Sequence, residues 1–158
     1  MKTLTDSGAG SVDFTPKTAS VTGLGQIRAP HVTNQLTRQP DEDSVYTITA
    51  RLAAFKVEDD SDIHLAVADP ADPSATMIVE FPDPACDVQA AAGPQSQMTA
   101  ARNAVIAACG QPGRSYVNLK GTATITGVFF FDRIHGQRGI APNGAELHPA
   151  LAFSGSCK

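Results

Sequence analysis

From residue 45 onward, apolar and β-branched residues gather in short runs separated by turn formers. Val45 to Val57 is rich in Val, Tyr, Thr, Ile and Phe and predicts the first clear strand. The acidic stretch Glu58-Asp59-Asp60-Ser61 ends it as a turn, most simply a solvated one. Ile63, Leu65 and Val67 alternate with His64, Ala66 and Ala68, the pattern of a half-buried second strand. The Asp69 to Ser74 loop carries two prolines, which cannot donate to a ladder. Thr76 to Phe81 is a third strand with Met77, Val79 and Phe81 on one face, and Pro82 and Pro84 close it. Gln97 to Cys109 places Met98, Ala101, Val105 and Ala108 at three- and four-residue spacings and predicts a helix. Ser96 would cap it, and Gly110 and Pro112 would stop it. A long strand runs from about Val117 to Phe131, with a bulge or bend at Gly127. Asp132 to Gly144 is a Gly-rich loop, and Ala145 to Phe153 is the final strand.

This order predicts a mainly β fold: a five-stranded OB-fold-like Greek-key barrel with one helix between its third and fourth strands. A different small α+β sheet is the alternative. Residues 1–40 show no sustained period and read as an N-terminal arm, partly extended over the domain and frayed at its end. Residues 41–158 then form the barrel domain. Gly23-Leu24-Gly25 lacks the flanking strand, the helix and the third glycine of a dinucleotide loop.

Composition narrows this reading without naming an activity. The chain has 158 residues, enough for one domain, with only 18% charged residues and 13 Gly and 11 Pro. That favours turns and short elements over a coiled coil or a disordered chain. No apolar run approaches the ~20 residues of a membrane span. A net charge of −4, no Trp and only two Tyr argue against nucleic acid as a partner. The three cysteines, Cys86, Cys109 and Cys157, are too far apart for a metal knuckle. They are either all reduced or joined by one bridge. Cys86–Cys109 is the favoured pairing, since it would close a loop of roughly twenty residues worth ~3 kcal/mol. Met1 to Gly10 lacks the apolar core of a signal, so the chain reads as a mature secreted or periplasmic form, or as cytoplasmic.

Candidate chemistry lies in the polar positions of these strands. Asp62 and His64 share one strand face, and Glu80 points away from Val79 and Phe81. If the hairpin pairs apolar face with apolar face, all three fall together. Glu146 and His148 alternate in the same way with Ala145 and Leu147. The loop adds Asp132, Arg133, His135 and Arg138. Imidazoles beside carboxylates supply the parts for general acid–base work, with His64, Glu80, His135, Glu146 and His148 as catalytic candidates. An i, i+2 pair on a strand can give two ligands to one ion. Asp62, His64, Glu146 and His148 are therefore the candidate metal set, and a divalent metal ion is the cofactor they would take. The glycines of the loop, with Arg133, Arg138 and Asn143, could cradle an anion. Asn143-Gly144 as a plain tight turn is the simpler account of that segment. Ordinary solvated strand residues remain the alternative for the whole cluster.

Four segments carry a resemblance: Asp60-Ser61-Asp62-Ile63-His64-Leu65; Thr76 to Pro82; Gly127 to Phe131; and His135-Gly136-Gln137 with Ala141 to Pro149. Over roughly residues 44–153 the chain resembles a family of small bacterial proteins of uncharacterised function. The resemblance implies a single domain, often behind an export signal, and implies no activity. Two functions follow. One is a binding or interaction module, monomeric or a small homo-oligomer, that takes an unknown small ligand or protein. The other is a metal-assisted or acid–base hydrolase, phosphodiesterase-like, using the Asp/His/Glu cluster.

Overall fold

The long β-branched run forms the organising strand of the fold. In the computed structural model, which describes residues 1–30 and 37–157, it is β2 (Ser44–Val57). β1 is Asp13–Ala19, and the short helix α1 is Val21–Leu24. The other strands are β3 (Ile63–Ala68), β4 (Thr76–Phe81), β5 (Val117–Asn118), β6 (Thr122–Phe131) and β7 (Ala145–Ser156). The long helix is α2, Ala92–Cys109. Five strands close into the barrel expected from the sequence, in the order β2-β3-β4-β7-β6 and back to β2. All pairings in that ring are antiparallel except the parallel β4–β7 pair.

β2 is long because it serves two neighbours on each edge. On one edge its first half pairs with β6 (Val45↔Val128 to Arg51↔Thr122), and beyond that with β5 (Phe55↔Val117). On the other edge β1 runs parallel to its start, and β3 takes its second half. The single strand expected from Val117 to Phe131 is therefore interrupted at residues 119–121. The break faces the irregular register between Leu52 and Ala54, where the wall coils. The bulge expected at Gly127 is present, with register shifts on both sides of it. A Cβ there would lie 2.9 Å from both Leu147 Cβ and Pro149 O, so only glycine lets β6 follow β7.

Inward-facing Ile48, Leu65, Val79, Ile125, Phe129 and Leu147 belong to the barrel core. A second cluster on the outer side of β2 joins Val45 to Leu4, Val12, Met98, Val128 and Leu151. Leu4 and Val12 are thus buried parts of the segment read as an arm, and β1 is its extended portion. Residues 31–36 of that arm lie outside the described residues. β3 departs from the half-buried pattern: all six of its residues are buried, because its outer face is covered as well.

Helix α2 begins five residues before the expected start, with Ala91 at its cap and Ser96 inside its second turn. Pro94 is tolerated because the amide it lacks would have no partner in a first turn. The helix packs on β7 and ends at Gly110 as expected. That packing decides the cysteine pairing. Cys109 is bonded to Cys157, just past β7, with Cα atoms 5.1 Å apart, and Cys86 is free and exposed. The Cys86–Cys109 bridge is corrected for a geometric reason: an 18-residue helix, about 27 Å long, stands between the two residues.

Candidate functional site

Strand register alone assembles a polar row across the outside of the barrel. Lys56, His64 and Glu80 lie directly opposite one another on β2, β3 and β4. One step along, Ile78, Glu146 and Phe130 align on β4, β7 and β6. Because Ile63, Leu65, Val79 and Leu147 point into the core, His64, Glu80, Glu146 and His148 all point outward. The outer face is nevertheless buried: His64, Glu146 and His148 are 1%, 1% and 2% exposed. The loop 132–144 covers one side. Gly139, at φ +87°, lays that loop on β3, where an added Cβ would sit 2.5 Å from Ala66 Cβ. The N-terminal segment, pinned through buried Leu4 and the Arg38–Asp6 pair, covers another. A cavity of about 310 Å³ remains between them.

His64 is fixed at both nitrogens. Nε2 lies 2.9 Å from the Arg138 carbonyl, which can only accept, so Nε2 carries a hydrogen. Nδ1 lies 2.8 Å from Glu80 Oε1 and 3.4 Å from Glu58 Oε1. A contact that short between Nδ1 and a carboxyl oxygen holds a shared proton. Burial works against a charged His64, but the Glu80 hydrogen bond and charge outweigh it, and its pKa is raised above the ordinary histidine value. Burial also raises Glu80, against the opposing pull of His64. His64 further meets the edge of the Tyr116 ring, on which Lys56 and Arg138 are stacked.

His148 sits between two carboxylates, with Nε2 3.5 Å from Asp62 Oδ2 and Nδ1 3.6 Å from Glu146 Oε2. At those separations the contacts are ion pairs, and neither nitrogen has a hydrogen bond. Burial would lower its pKa, yet Asp62 and Glu146 push it up to about 9. Glu80 Oε2 and Glu146 Oε2 are likewise buried without hydrogen bonds. Lys2 reaches over this floor. Its ammonium donates to Asp132 Oδ2 at 3.1 Å and stands 5.5 Å from the Phe130 ring centroid. Burial lowers its pKa, and the charges of Glu146 and Asp132 more than restore it.

Of the residues singled out in the sequence, Asp62, His64, Glu80, His135, Glu146 and His148 all line the cavity. The three proposed anion-cradle residues do not. Asn143 is a clamp: its amide donates to the Leu24 and Ile27 carbonyls, and its Oδ1 accepts from Ala145 N. Arg138 hands its carbonyl to His64, while its guanidinium binds Asn118. Exposed Arg133 offers its carbonyl to Gln137. Asp132, singled out with the same loop, also lines the cavity, and Lys2, Glu58, Asp59, Asp60 and Gln137 complete the wall. Glu58 belongs to the acidic stretch that reads as a solvated turn, and nothing in that local pattern distinguishes it. Lys2 comes from a segment without periodicity, so only its tertiary path reveals it.

Among the described residues no group of three or more His, Cys, Asp or Glu side chains is arranged to hold a metal ion. The candidate metal set is brought together, but its donors diverge. The two nitrogens of His148 face different carboxylates, and both nitrogens of His64 are already engaged. No helix among the described residues is long and apolar enough to cross a membrane. Comparisons with protein families, with curated proteins and with solved structures find no match, so the chemistry is read from this geometry.

Proposed function

We propose that the protein is a small-ligand-binding barrel of OB-like type whose site is the covered cavity on the outer wall of β3, β4 and β7. The observation that supports this most is a gathering of buried polar groups, Glu80 Oε2 without a hydrogen-bond donor and His148 held to Asp62 and Glu146 only at 3.5 and 3.6 Å, beside a cavity of about 310 Å³. A buried acceptor without a donor costs about 1–3 kcal/mol to desolvate, and a fold gains nothing from keeping it so. A ligand that hydrogen-bonds to it recovers that cost. The Cys109–Cys157 bridge supports an oxidising compartment and hence an exported protein.

A second reading, an acid–base hydrolase, draws on one observation. The proton-sharing His64–Glu80 pair stands beside a cationic His148, so an acid and a base are held in one cavity. Its substrate would be an uncharged ester or amide. Seven of the twelve lining residues are Asp or Glu, a poor seat for a phosphodiester without a metal.

Histidine-ring NMR on the intact protein, during titration with a library of small polar molecules, tests the site. Ligands that move the His64 and His148 ring signals in the wild type, and lose affinity in Glu80→Gln, support it. A library that moves neither ring removes the proposal. Release of nitrophenol from neutral nitrophenyl esters, lost in His148→Gln, would favour the hydrolase.

A further inference from the structure

We infer that the ligand of this cavity presents a small organic cation, an alkylammonium or guanidinium group, which displaces the Lys2 side chain and seats against Glu80, Glu146 and Asp132. The inference rests on the outer-wall cavity being a ligand site, and it names the class of ligand.

Three observations converge on it. The first is charge. Asp and Glu supply seven of the twelve residues around the cavity, so carboxylates outnumber cations even with Lys2 and every lining histidine charged. The second is independent of the charge count. Glu80 is 7% exposed and its Oε2 has no hydrogen-bond donor; Glu146 is 1% exposed and its Oε2 has only the His148 Nδ1 ion pair at 3.6 Å. Glu80 Oε1 is taken by His64, which leaves Oε2 as an acceptor only. An ammonium or guanidinium brings several N–H donors and no acceptor, which is what such oxygens lack. A phosphate or carboxylate brings only further acceptors.

The third observation is that the chain already places such a group there. Lys2 carries its ammonium to the mouth of the cavity, donates to Asp132 and faces the Phe130 ring, a cation–π contact. It bonds neither to Glu80, whose Oε2 lies deeper without a donor, nor to Glu146, whose Oε2 lies deeper and faces His148. Lys2 therefore supplies the chemistry of the ligand without reaching the full site. Its side chain is 41% exposed, so a competing cation can lift it away at small cost. The segment behind it stays pinned by buried Leu4 and the bidentate Arg38–Asp6 pair, so displacement moves one side chain and leaves the wall in place. The cavity is about twice the volume of one that admits benzene, enough for a cation with a short alkyl chain.

The test titrates n-butylammonium, ethylguanidinium, butyrate, methyl phosphate and butyramide into the wild type, Lys2→Met and Glu80→Gln. Calorimetry gives affinity and the His64 and His148 ring signals give location. The expected result is binding of the two cations only. Lys2→Met should bind them about two- to fivefold more tightly, because an exposed ion pair no longer competes. Glu80→Gln should weaken them at least about tenfold through loss of a charge-assisted hydrogen bond. If Glu80→Gln does not fold, Lys2→Met, altered on a half-exposed residue, decides the matter alone. Butyrate or methyl phosphate binding at these rings, and weakening in Lys2→Met, would overturn the cationic class while leaving the cavity a ligand site. Butyramide binding as well as butylammonium would do the same. Equal affinity of the cations for wild type and Lys2→Met would overturn the displacement of Lys2. Rings unmoved by all five compounds would remove both the class and the underlying site.

Discussion

Raising the pH from 6 to 10 takes the proton off His148, and the fold should lose what that proton contributes. The ring is buried between Asp62 and Glu146, and its pKa in the folded chain is pushed up to about 9 from the ordinary 6.5. Burial acts in the opposite direction, so the two carboxylates more than cancel the desolvation of the imidazolium. A group whose pKa rises on folding binds more protons when folded than when unfolded. Its contribution is therefore complete below about 6.5 and is lost as the pH climbs through about 9. At about 1.36 kcal/mol per pH unit, the displacement is worth about 3 kcal/mol. His64, also raised, adds to the fall with the same sign.

Urea unfolding measured at half-unit steps would show the effect as a declining free energy between pH 7 and 9. A Cys86→Ser background removes the exposed thiol, whose pKa is also raised and which titrates at the upper end. In that background His148→Gln should be less stable than its parent at pH 6, and the two curves should converge toward pH 10. A flat parent curve from pH 7 to 9 would refute the argument. A variant curve running parallel to the parent would do so equally, by assigning the decline to other groups.

The disulfide and the loop over the site give two further expectations. Cys157→Ser removes a bridge of sequence separation 48 and should cost about 4 kcal/mol in denaturant unfolding. Thiol counting on the unreduced, denatured wild type should find one reactive thiol, Cys86; three would contradict the pairing. Gly139→Ala places a Cβ 2.5 Å from Ala66 Cβ at φ +87°, so it should destabilise by about 1–3 kcal/mol. Since Gly139 adjoins the Arg138 carbonyl bound to His64, its His64 ring signal should shift as well. A Gly139→Ala protein with unchanged stability and an unchanged ring signal would show that the loop yields freely.

Much of the site was legible because strand geometry is local. An i, i+2 spacing puts Asp62 with His64 and Glu146 with His148 on one face whatever the partners, and apolar neighbours fix which face turns outward. That His64 and Glu80 share a face followed from a short hairpin pairing apolar face with apolar face, and the register sets them directly opposite. The meeting of the two pairs did not follow. It depends on β4 lying parallel to β7 across a separation of some seventy residues, and on which strands flank which in the closed ring. The roles of Arg138 and Asn143 were also out of reach. The pattern of this loop favours a plain turn at Asn143-Gly144 over an anion cradle, but it cannot show that the Arg138 carbonyl goes to His64 or that the Asn143 amide goes to Leu24 and Ile27.

Alternation, β-branching and proline stops act over a few residues, so the chain pattern from Val45 onward specified most of the barrel strands and the outward polar pairs, but missed β1 and the break at residues 119–121. Three features came from the tertiary arrangement: the outward face is covered, Cys109 meets Cys157, and Lys2 crosses to an acidic cavity. Each joins segments far apart in the chain, where spacing carries no information. The closing of the barrel and the path of the covering segments determine which side chains meet.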